Sequence, residues 1–285
     1  MIASDIKWLH VESSSKCNAW CPACSRNKSG YGLNDTFIEQ DIRTDRFEEV
    51  VNSLPSLHAV QFCGNYGDPI IGNNFLELVD ICIDKNIKVQ VHTNGSLRNQ
   101  EWWATLGSKL SAHPHDIWFG IDGIGEIHEI YRQATSYDKI INNATAFIDN
   151  GGHATWQFIP YLHNQHQIKD ALILSKKLKF KNFKLVKLLR NKKEVRHWKT
   201  GEKFELSPPS DIIQIIRMPT TKLQPTIENC MHLSQPGIYM DASGMVSFCC
   251  YFRNKKYMHN TVGELMATVP DFNDSICIES CGVAA

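Results

Sequence analysis

Over the first two thirds of the chain, short runs of apolar, β-branched and aromatic residues alternate with longer stretches in which apolar positions recur every three or four residues. The short runs predict strands: "IKWLHVE" from Ile6, "AVQFCG" from Ala59, "IKVQVHT" from Ile87, "DIWFGID" from Asp116, "ATWQFIP" from Ala154 and "NFKLVKLL" from Asn182. Between them "DRFEEVVNSL", "NFLELVDICIDKN", "QEWWATLGSKL", "YDKIINNATAFIDN" and "HQIKDALILSKKLK" predict helices. Strands that alternate with helices call for right-handed parallel crossovers, hence an α/β fold built as an open or closed barrel.

In such folds chemistry gathers at the C-terminal ends of the strands. The conspicuous polar and glycine-containing stretches each follow a predicted strand: a cysteine loop, "GNYGDP", "TNGS" and "DG". They are expected to meet at one mouth. After Arg190 the alternation stops and a polar connector containing "SPPS" (207–210) appears, which sets the expected boundary between a barrel of residues 1–205 and a smaller segment of residues 206–285.

Thirty basic residues balance thirty acidic ones, and the pI is about 7.2, so charge provides no argument for nucleic acid or an anionic membrane as partner. The lysine-rich stretch from Lys176 to Lys203 reads as solvated surface. No run of eighteen apolar residues occurs, and the start of the chain lacks a basic segment followed by a long apolar one; the expectation is a soluble cytoplasmic protein without a membrane partner. In a reducing compartment ten cysteines point to metal ligands or small buried residues rather than disulfides. Three lie at 17, 21 and 24, two stand alone at 63 and 82, and five lie at 230, 249, 250, 277 and 281.

"CNAWCPAC" (17–24) places three thiols in eight positions. Four-iron clusters normally take four cysteines, so three thiolates from one loop suit a [4Fe-4S] cluster in which one iron keeps an open coordination site. A zinc knuckle that borrows a distant fourth ligand is the bland alternative. The spacing Cys17-x3-Cys21-x2-Cys24 directly after a first barrel strand resembles that of the radical SAM superfamily, with Ala23 at a position that is often aromatic there. The later strand ends, where a barrel of this kind gathers its chemistry, extend the resemblance over about 180 residues. Tyr66-Gly67-Asp68-Pro69 resembles the family's Gly-Gly-Glu-Pro segment, Thr93-Asn94-Gly95 its polar segment, and "FGIDGIGEIHEIYRQAT" its S-x-D-G…Y-R stretch, with Gly120 where a serine is common, then Asp122 and Arg132.

The resemblance implies a partial (β/α)6 TIM-like barrel in which Cys17, Cys21 and Cys24 hold the catalytic cluster. Tyr66, Gly67, Asp68, Thr93, Asn94, Asp122 and Arg132 would then bind S-adenosylmethionine, with Arg132 pairing its carboxylate. It further implies reductive cleavage to a 5′-deoxyadenosyl radical, abstraction of a substrate hydrogen, and an external electron donor such as a flavodoxin or ferredoxin.

Near the C-terminus, Cys230-x13-Gly244-x4-Cys249 resembles the first half of the SPASM domain, on a hairpin expected to turn at Ser243-Gly244. With Cys277-x3-Cys281 it implies a second [4Fe-4S] cluster on a short, twitch-type segment (a β-hairpin plus helix); Cys249 is preferred to Cys250 because it matches the family's Gly-x4-Cys count and neighbours on a strand face opposite ways. Zinc is again the alternative there. The expected function is oxidation of a small molecule, with the second cluster as electron acceptor. Crosslinking or epimerisation of a peptide is the alternative, and a non-catalytic iron-sulfur or zinc scaffold is the rival from another class. Cys63 and Cys82 read as core thiols, Trp20, Arg26 and Tyr31 as candidates to face substrate, and Asp241 and Glu228 as acids to examine for proton transfer.

Overall fold

The computed structural model describes residues 2–34, 38–186, 194–210, 236–251 and 256–268. Six parallel strands, β1 (Trp8–Val11), β2 (Ala59–Phe62), β3 (Lys88–Thr93), β4 (His115–Gly120), β5 (Ala154–Phe158) and β6 (Asn182–Leu185), lie side by side in chain order. The helices between them are α1 (Thr44–Asn52), α2 (Phe75–Asp84), α3 (Gln100–Leu110), a short α4 (Glu126–Tyr131), α5 (Tyr137–Asp149) and α6 (Ile168–Lys177). A sheet that keeps sequence order while every crossover carries a helix is the wall of a partial (β/α) barrel.

Side-chain alternation divides that wall into two unlike faces. Leu9, Val11, Val60, Phe62, Val89, Val91, Ile117, Phe119, Trp156 and Phe158 point one way and form the core with Phe47, Leu78, Trp103, Phe147 and other apolar residues of the helices. The opposite face carries His10, Gln61, His92, Trp118 and Gln157, set side by side by the registers His10↔Gln61, His92↔Trp118 and Gly120↔Gln157. The strands therefore bury oil on the helix side and keep a polar inner surface.

A second, two-stranded sheet, β7 (Glu194–Arg196) with antiparallel β8 (Lys203–Glu205), lies apart from the main one. Its Val195, with Leu206 and Phe204, packs on Ala19, Cys21, Ala23, Tyr131 and Tyr161 and so roofs the cysteine loop.

The expected C-terminal hairpin is present as β9 (Gly237–Met240) and β10 (Val246–Ser247), but it extends the barrel sheet instead of standing apart. β9 runs parallel to β1 with Trp8↔Gly237 to Val11↔Met240 in register, giving the order β10-β9-β1-β2-β3-β4-β5-β6. Asp241 shapes the turn, accepting from the Ser243 N–H at 2.9 Å, the Ser243 hydroxyl at 2.6 Å and the Met245 N–H at 3.1 Å. Gly244 completes it at φ +87°, under the side chain of Arg46 from α1. The short α7 (Val262–Met266), capped by Thr261 and Glu264, adds Val262 and Leu265 to the core. Among the described residues no helix is long and apolar enough to cross a membrane.

Candidate functional site

The C-terminal ends of the parallel strands enclose a cavity of about 320 Å³. Cys17, Cys21 and Cys24 line it together with Tyr66, Gly67, Asp68, Thr93, Asn94 and Arg132, while Asp122 sits behind the wall and is fully buried. The segments expected to meet at one mouth are thus brought together by the parallel registry.

The cysteine loop is held as a unit. Cys24 N–H donates to Cys21 O at 3.0 Å, the Asn27 side chain donates to the same carbonyl at 3.1 Å, and Arg26 donates to Ser15 O at 2.8 Å while pairing with Glu39. Trp20 N–H donates to Gln133 O at 2.8 Å and its ring stacks on Trp198 at 5.9 Å; Arg196 lies over the Tyr31 ring at 4.4 Å. Trp20 and Tyr31, expected as candidates to face substrate, tie the loop to the turn after α4 and to the β7–β8 hairpin; Arg26 both braces the loop and lines the cavity.

Burial pushes the Cys21 thiol up to about 11, with the Arg132 charge pulling it back, and pushes the Cys17 thiol higher still. Thiolates here need a cation close by. Among the described residues no three Cys, His, Asp or Glu side chains converge on one point as a single ion would require. A cubane bonds each thiolate to a different iron and does not require them to. The donor set, three thiols on one loop facing one cavity, therefore fits such a cluster. In addition, the buried Tyr161 hydroxyl on the cavity wall meets no partner of good hydrogen-bonding geometry among the described residues.

Asp68, one of the residues expected to bind S-adenosylmethionine, lines the cavity and accepts from the Thr93 hydroxyl at 2.8 Å and the Asn94 N–H at 2.7 Å. It ties the second strand end to the third. Gly67, another residue expected to bind S-adenosylmethionine, lines the cavity and packs closely on the Ser14–Lys16 backbone, where a Cβ at 67 would fall 1.8 Å from Ser14 O. Asn94 continues the network, donating to Asn18 Oδ1 at 3.0 Å and reaching Cys17 Sγ at 3.7 Å. Asp122 accepts from Arg132 Nε and from the Ile159 N–H, both at 2.6 Å, while its own N–H donates to His128 Nδ1 at 3.0 Å. Burial works against the Arg132 charge, but Asp122 and Cys21 more than offset it and keep the guanidinium protonated.

Glu12, His92 and Gln157 are site residues that the sequence reading left out, and Cys63 is placed differently from its reading. Glu12, buried at the end of the first strand, accepts from the Tyr66 and Gly67 N–H groups at 2.6 and 3.1 Å and from the Tyr239 hydroxyl at 2.7 Å. A carboxylate closing an otherwise apolar strand was the available signal. Cys63, expected in the core, lines the cavity half-buried, with its carbonyl held by His10 Nε2 at 2.6 Å. His92 and Gln157 line the same cavity, and burial holds His92 neutral with its pKa near 4. Cys82 is in the core as expected.

Of the second cysteine group, Cys230, Cys277 and Cys281 lie outside the described residues, as does Glu228. Cys249 is buried and its sulfur accepts the Tyr251 N–H at 3.5 Å; the Cys250 carbonyl accepts from Asn65, a cavity residue, at 3.2 Å. Asp241, an acid to examine for proton transfer, accepts the hydrogen bonds of the hairpin turn.

No protein-family model matches the sequence, and no curated protein does. Solved structures share the fold. The chain resembles anSMEcpe with bound AdoMet at 17% identity and a TM-score of 0.63, over 96% of this chain and 79% of that one. It resembles anSMEcpe with AdoMet and a Cp18Cys peptide at 18% and 0.61, over 96% and 82%. Streptococcus suis SuiB bound to S-adenosylmethionine matches at 12% and 0.64, over 97% of this chain and 66% of SuiB. Identities this low establish a common fold and nothing finer.

Proposed function

We propose that the chain is a radical SAM enzyme. One observation carries this reading: three thiols on a single loop share one cavity with the polar segments that end the second, third and fourth strands. The shared fold with two proteins seen with bound S-adenosylmethionine supports it.

In this reading Cys17, Cys21 and Cys24 hold a [4Fe-4S] cluster, and Tyr66, Gly67, Asp68, Thr93, Asn94 and Arg132 line the place of S-adenosylmethionine, with Asp122 behind Arg132. When bound, these groups would supply one-electron cleavage of the sulfonium and removal of a substrate hydrogen. The protein's part is positional. Asp68 fixes Thr93 and Asn94, Glu12 fixes the Tyr66–Gly67 backbone, and the β7–β8 roof with Tyr131 and Tyr161 packs over the buried Cys21. His92 stays uncharged at neutral pH, so the inner face offers hydrogen bonds without adding net charge there.

Residues 206–285 would hold a second four-iron cluster through Cys230, Cys249, Cys277 and Cys281, an electron acceptor for oxidation of a small molecule. The Tyr251 N–H on its sulfur favours Cys249 over Cys250, because such bonds stabilise a thiolate ligand. A second reading, modification of a peptide, is favoured by the same likenesses: anSMEcpe has been seen with a Cp18Cys peptide and SuiB with the precursor peptide SuiA.

The deciding experiment is iron and sulfide content after anaerobic reconstitution, wild type beside a Cys17, Cys21, Cys24 to Ala triple variant. About eight irons falling to about four is the expected result. Zinc alone, or iron that does not fall in the variant, would leave a metal scaffold as the better account.

A further inference from the structure

The loop from Cys63 to Asp68 belongs to no helix or strand, so its shape is set by what grips it. His10 Nε2 meets the Cys63 carbonyl at 2.6 Å, and the Asp68 N–H donates to Lys16 O at 2.8 Å. Between those ends Glu12 Oε1 accepts from the N–H groups of Tyr66 at 2.6 Å and Gly67 at 3.1 Å. Its other oxygen, Oε2, accepts from the Tyr239 hydroxyl at 2.7 Å. Tyr239 belongs to β9 of the C-terminal hairpin, in register with His10 of β1, and is fully buried with its ring edge-on to His10 at 5.2 Å. The Glu12 N–H also donates to Met240 O at 2.9 Å, and Asn65 Nδ2 donates to Cys250 O at 3.2 Å. The hairpin thus reaches the loop both through Glu12 and directly.

We propose that Tyr239 is a positioning residue for the cavity: by holding Glu12 Oε2 from outside the cavity lining it fixes the Tyr66–Gly67 backbone, so that the C-terminal hairpin sets how tightly S-adenosylmethionine is held. The inference rests on the reading that S-adenosylmethionine lies against Tyr66 and Gly67. Three neutral donors hold the buried Glu12 carboxylate. Without the Tyr239 hydroxyl a buried charge keeps an oxygen with no donor, which is unfavourable enough to turn the carboxylate toward any donor within reach. Both loop amides share the other oxygen and must follow. Tyr239 stays a donor throughout the working pH range, because burial and the Glu12 charge push its hydroxyl well above the usual tyrosine pKa. Coupling of this kind is reciprocal: a ligand that fixes the loop also fixes Glu12 and the hairpin.

The test reads the Kd of S-adenosylmethionine on the anaerobically reconstituted full chain, with urea unfolding alongside. Tyr239→Phe keeps the ring against His10 and the β9–β1 pairing and removes only the hydroxyl; affinity should weaken about fivefold or more. Gly244→Ala strains the same hairpin at its turn, away from Glu12, and so reports what a loosened hairpin does by itself. At an equal or greater loss of stability it should leave the affinity within about twofold of wild type. Amide exchange supplies a second readout: S-adenosylmethionine should slow exchange in residues 237–240 of the wild type, and do so less in Tyr239→Phe at the same ligand saturation. Affinity within about twofold of wild type in Tyr239→Phe, or an equal weakening in Gly244→Ala, overturns the proposal. Ligand protection of the hairpin that survives intact in Tyr239→Phe overturns it as well. A wild type that binds no S-adenosylmethionine sinks the functional reading and this one together, and is told apart by leaving no reference affinity to compare.

Discussion

Glu12 shows how much of the site depends on a residue outside every motif. Its two oxygens satisfy two backbone amides and one hydroxyl, all partly or fully buried. Glu12→Ala leaves those donors without an acceptor and should cost about 2–4 kcal/mol. Glu12→Gln keeps an oxygen for the amides and should recover most of that. Urea unfolding at constant m value measures both, and equal stability of the two variants would contradict the role. His128 sets a pH limit. Burial lowers its pKa to about 3, and its unprotonated Nδ1 accepts the Asp122 N–H. Above about pH 6.5 the group is neutral in both states and adds no pH dependence; as pH falls from there toward 3, the unfolded chain takes up a proton that the folded chain refuses, and stability declines by up to a few kcal/mol. His128→Asn retains an acceptor without the titration, so its stability should fall less steeply over that window; identical slopes would count against His128. Cys63 gives a third expectation. Its thiol lines the cavity, so S-adenosylmethionine should slow its alkylation by iodoacetamide in the unreconstituted chain, read by peptide mapping, while buried Cys82 stays unlabelled with or without the ligand.

At the scale of elements, the six strands and five longer helices were legible because each is an apolar segment with its own period, bounded by turn residues. The polar inner face was not read as such. His10, Gln61, His92 and Gln157 sit at alternate positions within runs whose apolar residues dominate, and only pairing shows that they share a surface. α4 was missed for a different reason: it has six residues, opens at Gly125 with φ +61° and packs through Tyr131 and His128 rather than a long apolar stripe. The order of site segments was readable because parallel strands place all their C-terminal ends together, whereas the partners of Asp68 and Arg132 were not. A chain pattern carries no information on whether a carboxylate meets a ligand or a neighbouring N–H. The hairpin turn tests one such long-range contact. Gly244 sits at φ +87° beneath Arg46, which donates to its carbonyl at 3.0 Å and also to Asn260 O. Gly244→Ala combines a strained backbone with a Cβ 2.5 Å from Arg46 Cγ and should cost more than about 1 kcal/mol. Amide exchange in residues 237–247 should accelerate, and unchanged protection there would show that Arg46 does not clamp the turn.

For the whole molecule, the division at residue 205 drawn from composition meets a continuous sheet. β9 bonds to β1 along four residue pairs, Arg46 grips the hairpin turn from α1, and Asn65 joins the cavity wall to the Cys250 carbonyl. Val246, Phe248, Val262 and Leu265 belong to the same apolar core as Leu9 and Phe62. Separating the hairpin would expose one side of β1 and strip those residues of their packing, at roughly 1.5–3 kcal/mol for each large side chain uncovered. That loss exceeds what a short hairpin recovers alone, since two strands without a sheet are marginal in water. The two sequence segments should therefore unfold together. Calorimetry on the metal-free chain is expected to give one transition with van't Hoff and calorimetric enthalpies in agreement. If the segment from 206 onward melted first, the β1–β9 pairing would be too weak to couple the halves.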